Sequence, residues 1–160
     1  MKFKPGQSVA EAAQALLPKM ARKYFKAGRD AVSGKKPPDE LHQFRLRTKR
    51  FRYTLEFFRP VYGARLDRYL NSLRSMQAAL GKVSDYQAIQ RVLGRDRLLE
   101  NQIHQALKRR VKDLRGEWRT LDSDGALKNW RMFLAGEQMQ ARTPRKRPAS
   151  VKKSAARKRA

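Results

Sequence analysis

The chain predicts an all-α fold, an antiparallel helical bundle carrying a disordered basic tail, on three observations. Apolar residues recur at three- and four-residue steps through most of residues 8–140, the period of a helix with one buried face. No stretch sustains two-residue alternation, and β-branched residues are scarce. Residues 141–160 consist mainly of Pro, Ala, Ser, Lys and Arg, with Val151 their sole large apolar side chain. Residues 1–140 are therefore expected to form the bundle. Residues 141–160 are expected to form a tail that buries too little to order itself.

The elements follow in order. Ser8 and Glu11 have capping-box spacing and open a first helix running towards Gly28. Pro18 inside it removes a hydrogen bond and predicts a kink or a split. Gly34 to Pro38 reads as a connector, after which Asp39 and Glu40 put negative charge in the first turn of a second helix, where the dipole favours it. Arg59-Pro60 and Gly63 end that helix. A third helix over 64–80 carries Leu66, Tyr69, Leu70, Leu73, Met76, Gln77 and Leu80, with Gly81 as a left-handed cap. Ser84 and Gln87 suggest a second capping box and a fourth helix from Asp85 to Leu93, with Gly94 as a break. A fifth, long helix is expected to bury Leu99, Ile103, Leu107, Val111, Leu114, Trp118 and Leu121. Its opposite side presents Lys108, Lys112, Arg115 and Arg119. Asp122 to Gly125 is a turn, and a last helix over 126–140 holds Trp130 and Phe133. Both tryptophans are expected to be core anchors.

The charge balance bounds the partner. Thirty-nine Lys and Arg against 14 acidic residues leave a net charge of +25 and a pI near 11.3. Nine of those cations sit in residues 142–160 without an acid, and the other 30 leave about +16 on the rest. So dense a charge opposes compaction and points to a polyanion that relieves it. There is no cysteine, which excludes disulfides and thiolate chemistry. The first residues lack the apolar run of a signal peptide, and no window approaches the ~20 apolar residues of a membrane span. The expectation is a soluble, cytoplasmic protein without membrane contact.

Residues 42–58 are the most informative stretch. On a helix turning ~100° per residue, His42, Arg45, Lys49 and Arg52 fall within an arc of roughly 80°. Phe44, Phe51, Leu55 and Phe58 gather on the opposite side, with Leu46, Tyr53 and Phe57 as a second apolar group. Two apolar stripes predict a helix held between neighbours, with its basic row fixed towards a groove. Such a row suits a ligand with regularly repeated negative charges, because arginine can grip two phosphate oxygens while lysine acts as a point charge. Arg47 and Arg50 lie off the row, and Glu56 continues it one turn from Arg52 and Arg59.

The string His42-x-x-Arg45-x-x-x-Lys49-x-x-Arg52-Tyr53-x-x-Glu56 resembles the signature of CHAD domains, the conserved histidine α-helical domains. Leu80-Gly81-Lys82-Val83-Ser84-Asp85 is similar to the Leu-Gly-x-x-x-Asp turn that follows in that family, and the resemblance spans roughly residues 8–135. It implies a helical bundle whose basic residues line a groove or pore, and inorganic polyphosphate as ligand. Arg45, Lys49 and Arg52 would then be phosphate contacts and His42 the signature histidine, with Tyr53 beside them and Arg74 and Lys82 extending the basic surface. CHAD domains usually hold two tandem repeats, whereas this chain shows one motif helix. A homodimer completing the two-repeat arrangement is the corresponding partner expectation.

The remaining chemistry is sparse. His42 and His104 are the only histidines and lie far apart in the sequence, so neither a metal site nor a nucleophile–base pair is expected, and no cofactor is implied. Related CHAD domains are joined to a triphosphate-hydrolysing module marked by Glu-x-Glu-x-Lys, and this chain has no Glu-x-Glu. Asp85 reads as a helix cap. The sequence therefore reads as a non-catalytic binding module, with polyphosphate granules or the nucleoid as expected locations. The alternative is a histone-like, non-specific nucleic-acid-binding protein acting on DNA or RNA through the tail, whose Lys/Ala/Pro composition is weakly specific.

Overall fold

The computed structural model describes residues 6–34, 39–92 and 97–137, all helix and turn with no strand among them. Among the described residues the α-helices run in order: α1 Val9–Val32, α2 Asp39–Phe57, α3 Arg59–Tyr62, α4 Asp67–Val92, α5 Arg97–Leu121 and α6 Ala126–Leu134. A single 3-10 turn, Gly63–Leu66, precedes α4. The tail expected at 141–160, the connector over 35–38 and the break at Gly94 lie outside the described residues.

α1 begins where the sequence says it should. The Ser8 hydroxyl accepts from the Glu11 amide at 3.2 Å, and the Glu11 carboxylate accepts from the Ser8 amide at 2.9 Å. These hydrogen bonds to Ser8 hold the Glu11 carboxyl below its ordinary pKa. Pro18 does not split the helix, which runs unbroken past Gly28 to Val32. An interior proline costs ~3 kcal/mol. One continuous face (Ala13, Leu17, Ala21, Tyr24, Phe25) is buried on both sides of it, and burying a large apolar side chain contributes ~1.5–3 kcal/mol apiece. Gly28 is a packing residue and not a helix end, because the Trp118 indole occupies the space its β-carbon would need.

The larger departure is α4. Instead of two helices with Gly81 as a left-handed cap, one helix runs from Asp67 to Val92, with Gly81, Ser84 and Asp85 in its interior. The capping roles given to Ser84 and Asp85 therefore lapse. Glycine in a helix interior costs ~0.5–1 kcal/mol. Leu73, Met76, Leu80 and Val83 keep one buried stripe through that point, each 1 % exposed or less, so packing outweighs the glycine.

Aromatic rings fill the centre. Tyr24 stacks on Phe44 at 5.2 Å and lies 5.1 Å from Phe51. Trp118 from α5 packs on Phe25 and Phe44, and Trp130 from α6 meets Phe25, Phe51 and Tyr69. Both tryptophans are core anchors, as the sequence suggests, at 5 % exposure. Long-range polar ties help to close the bundle. Arg29 grips Asp122 with both ends of its fork, at 2.7 and 2.8 Å, fastening the end of α1 to the end of α5. Tyr62 donates to the Leu134 carbonyl at 2.6 Å, fastening α3 to α6. α5 buries Ile103, Leu114, Trp118 and Leu121 as expected, but Leu99 stands at the exposed margin. α6 ends at Leu134, shorter than the 126–140 expected; Gly136 then takes a positive φ of 80°.

Candidate anion-binding site

α2 is positioned by its buried stripe. Phe44, Phe51, Leu55 and Phe58 are all at most 3 % exposed, and Thr48 beside them is fully buried, its hydroxyl donating to the Phe44 carbonyl at 2.8 Å. This face packs on α1 and α4 and fixes the rotation of the helix. The second apolar group is not held by a neighbour. Leu46, Tyr53 and Phe57 are 44, 50 and 73 % exposed, contrary to the expectation of a helix clasped on two sides. The period of the apolar residues was right, but the described residues supply no element that covers the second stripe.

The basic row divides into an engaged end and an open end. At the engaged end, Arg52 has a side chain only 14 % exposed. Its Nε donates to Gln77 Oε1 at 2.9 Å, its Nη1 to Glu56 Oε1 at 2.6 Å, and its guanidinium lies 4.3 Å from the centre of the Tyr53 ring. Arg74 on α4 reaches the same Glu56 oxygen at 3.2 Å and also donates to Asn71 at 2.8 Å. Glu56 thus joins two arginines on different helices, while Arg59 turns away to Asp67 at 3.1 Å.

At the open end, His42 is exposed and Arg45 and Lys49 are half-buried, and none of the three has an acidic partner among the described residues. Arg45 is notable because its Nε is buried without a hydrogen-bond acceptor. Such a donor leaves a desolvation penalty of about 1–3 kcal/mol unanswered. An anion reaching the Arg45 fork offers the missing negative charge.

Arg52 facing Gln77 and Glu56 facing Arg74 define an antiparallel register between α2 and α4. Continued at ~1.5 Å per residue, it brings Lys82 level with the turn of α2 that contains Lys49. Lys82 is exposed and has no ion-pair partner among the described residues. Arg74 therefore lies on the α4 flank of the row and is engaged, whereas Lys82 shares the height of the row and is open. Gln77 is the residue sequence reasoning missed: it sits in an apolar stripe, and its role depends on a register between helices that no single-helix pattern contains. His104 is exposed on α5, remote in sequence from the row, and Lys108, Lys112, Arg115 and Arg119 form the outward basic face expected there.

Among the described residues no group of His, Asp and Glu could hold a metal ion, and no helix is long and apolar enough to cross a membrane. The arrangement can bind anions by charge and hydrogen bonding.

No curated protein and no solved structure matches the chain. A family model does: that of the CHAD domain matches residues 2–94, which takes in α1 to α4 with the whole basic row and leaves α5 and α6 beyond the match. The match covers more than half of the sequence and includes both motifs at 42–56 and 80–85, so the chain belongs to the CHAD domain family.

Proposed function

We propose that the protein binds inorganic polyphosphate without transforming it, through His42, Arg45, Lys49, Arg52 and Tyr53 on α2, with Arg74 and Lys82 on α4 at its edge. CHAD domains are known for polyphosphate binding, which supports the ligand class. The observation that carries the reading is the open end of the row, where cations on successive turns of a fixed helix have no acidic partner among the described residues. Residues spaced by three and four recur about every 5 Å along the axis, so the row meets successive phosphates of a chain that has no bases to read. Counterion release makes such binding steeply salt-dependent. Association with polyphosphate granules or the nucleoid follows from the same reading. So does a homodimer in which two single-motif rows share one chain of phosphates; a strictly monomeric complex with tight binding, seen by light scattering, removes it.

Competition binding tests the proposal on the protein truncated after residue 140, which removes the tail cations. Labelled long polyphosphate is displaced by unlabelled polyphosphate or by charge-matched duplex DNA at ~0.15 M salt. Polyphosphate winning by about tenfold or more supports a row that reads phosphate geometry. Equal competition makes the bundle a general cationic surface and moves the histone-like reading ahead.

A further inference from the structure

Of the uncovered apolar stripe of α2, the polyphosphate reading uses Tyr53 alone and leaves Leu46 and Phe57 without a role. With Leu16 of α1 and the buried Phe58, the exposed Leu46, Tyr53 and Phe57 line an open groove of about 670 Å³. The eleven-residue step from Leu46 to Phe57 spans ~16 Å, three helical turns. Three large apolar side chains in one register over that length, two of them aromatic, form a contiguous patch of the kind that marks interaction sites.

Its rim is of one sign. Lys49 lines the groove on one side and Arg50 on the other, and Arg47 continues the Arg50 side. None of the residues lining the groove is acidic, and Glu56 in the neighbouring row is occupied by Arg52 and Arg74. The rim selects among occupants. The chain's own segment 141–160 is cationic with one large apolar residue, so it would be repelled and would bury little. A second copy of α2 would set Lys49 and Arg50 against their own counterparts.

From this charge complementarity we infer that the groove docks an amphipathic helix of another protein, one whose apolar stripe is flanked by Asp and Glu. A helix fits because its anchors at three-, four- and seven-residue steps can follow a groove running along α2. The described residues offer no sheet edge to which a strand could add. Nucleic acid fits less well. Arg52 already covers the Tyr53 ring, Phe57 is held edge-on against Phe58, and the aliphatic Leu16 and Leu46 complete the lining. The inference does not rest on the polyphosphate reading, because its anchors Leu46 and Phe57 lie outside the basic row.

The test is fluorescence anisotropy on the full chain with three labelled synthetic peptides of about four helical turns. One has a Leu stripe with Glu flanks, the second has Ser for each Leu, and the third has Lys for each Glu. The Leu/Glu peptide should bind at least about tenfold more tightly than either control at ~0.15 M salt. Leu46→Ser with Phe57→Ser should abolish that advantage while leaving the melting temperature and polyphosphate binding unchanged. Equal affinity for the Leu/Glu and Ser/Glu peptides would overturn the inference, as would unchanged peptide binding by the double variant. Two other results would replace it with another occupant. Dimerisation of the wild type that the double variant breaks would assign the groove to a second copy. Loss of affinity for oligouridylate in the double variant would assign it to single-stranded RNA.

Discussion

Arg52 and Glu56 form the closest ion pair of the basic face, Nη1 to Oε1 at 2.6 Å, and the same carboxylate oxygen is shared with Arg74 at 3.2 Å. One acid thus neutralises part of the row and ties α2 to α4. Its two effects separate in Glu56→Gln. A charge-assisted hydrogen bond to a group as covered as Arg52 contributes ~1.5–3 kcal/mol, whereas the half-exposed Arg74 adds less. Chemical denaturation should therefore show a loss of about 1–3 kcal/mol. Polyphosphate affinity at low salt should rise, because a competing negative charge leaves the row. A fall in affinity at unchanged stability would mean that Glu56 positions the arginines for the ligand.

The row and the tail make different demands of the same polyanion. Arg45→Ala with Arg52→Ala should weaken polyphosphate binding far more than Lys152→Ala with Lys153→Ala, although both remove two charges. Each lost phosphate contact should also lower the slope of log affinity against log salt by ~1. Equal losses from the two pairs in a filter-binding titration would show that the helix face is not a site.

Gly28→Ala tests the contact at the centre of the bundle. An added β-carbon would overlap the Trp118 ring, which is hemmed in by Tyr24, Phe25 and Phe44 and cannot retreat freely. Alanine gains ~1 kcal/mol of helix propensity. Overpacking a filled core costs ~1–3 kcal/mol and sometimes more. Thermal melts should show net destabilisation, and near-ultraviolet circular dichroism should show a displaced tryptophan.

Alkaline pH should unfold the bundle through its tyrosines. Burial pushes the Tyr62 hydroxyl up to about 12 and also raises Tyr24 and Tyr69 above the ordinary 10.0. The neutral form is the one the fold retains. The stabilisation is therefore complete below pH 10.0 and is lost from there towards about 12, as the unfolded chain gives up protons the native state keeps. Melting temperature should fall across that window, with phenolate absorbance appearing together with unfolding. Tyrosine ionisation well before unfolding would mean that the hydroxyls are open to solvent.

Much of the fold was legible because helices are local. The Ser8–Glu11 box, the charged start of α2, the Pro60 stop and the buried stripe of α5 each depend on residues a turn or two apart. The misreadings share one cause. Pro18 and Gly81 are local breakers, from which the local rule predicts a kink or a split at one and a cap at the other, and neither interrupts its helix. Long buried faces running through both sites override a few kcal/mol of backbone preference. The second stripe of α2 failed in the opposite direction: periodicity shows which residues share a face, and coverage of that face depends on how many neighbours the bundle provides.

By itself the sequence determined the helical class, the excess of positive charge, the alignment of His42, Arg45, Lys49 and Arg52, and the motif that leads to the CHAD family. These are properties of spacing along one chain at ~100° per residue. Only the tertiary structure decided which cations are occupied and which are open. Arg52 meets Gln77, and Glu56 meets Arg74, because α2 and α4 pack antiparallel in one register. The same packing leaves Leu46, Tyr53 and Phe57 facing solvent. Partners across a bundle are set by how whole faces fit together, which no repeat within a single helix encodes.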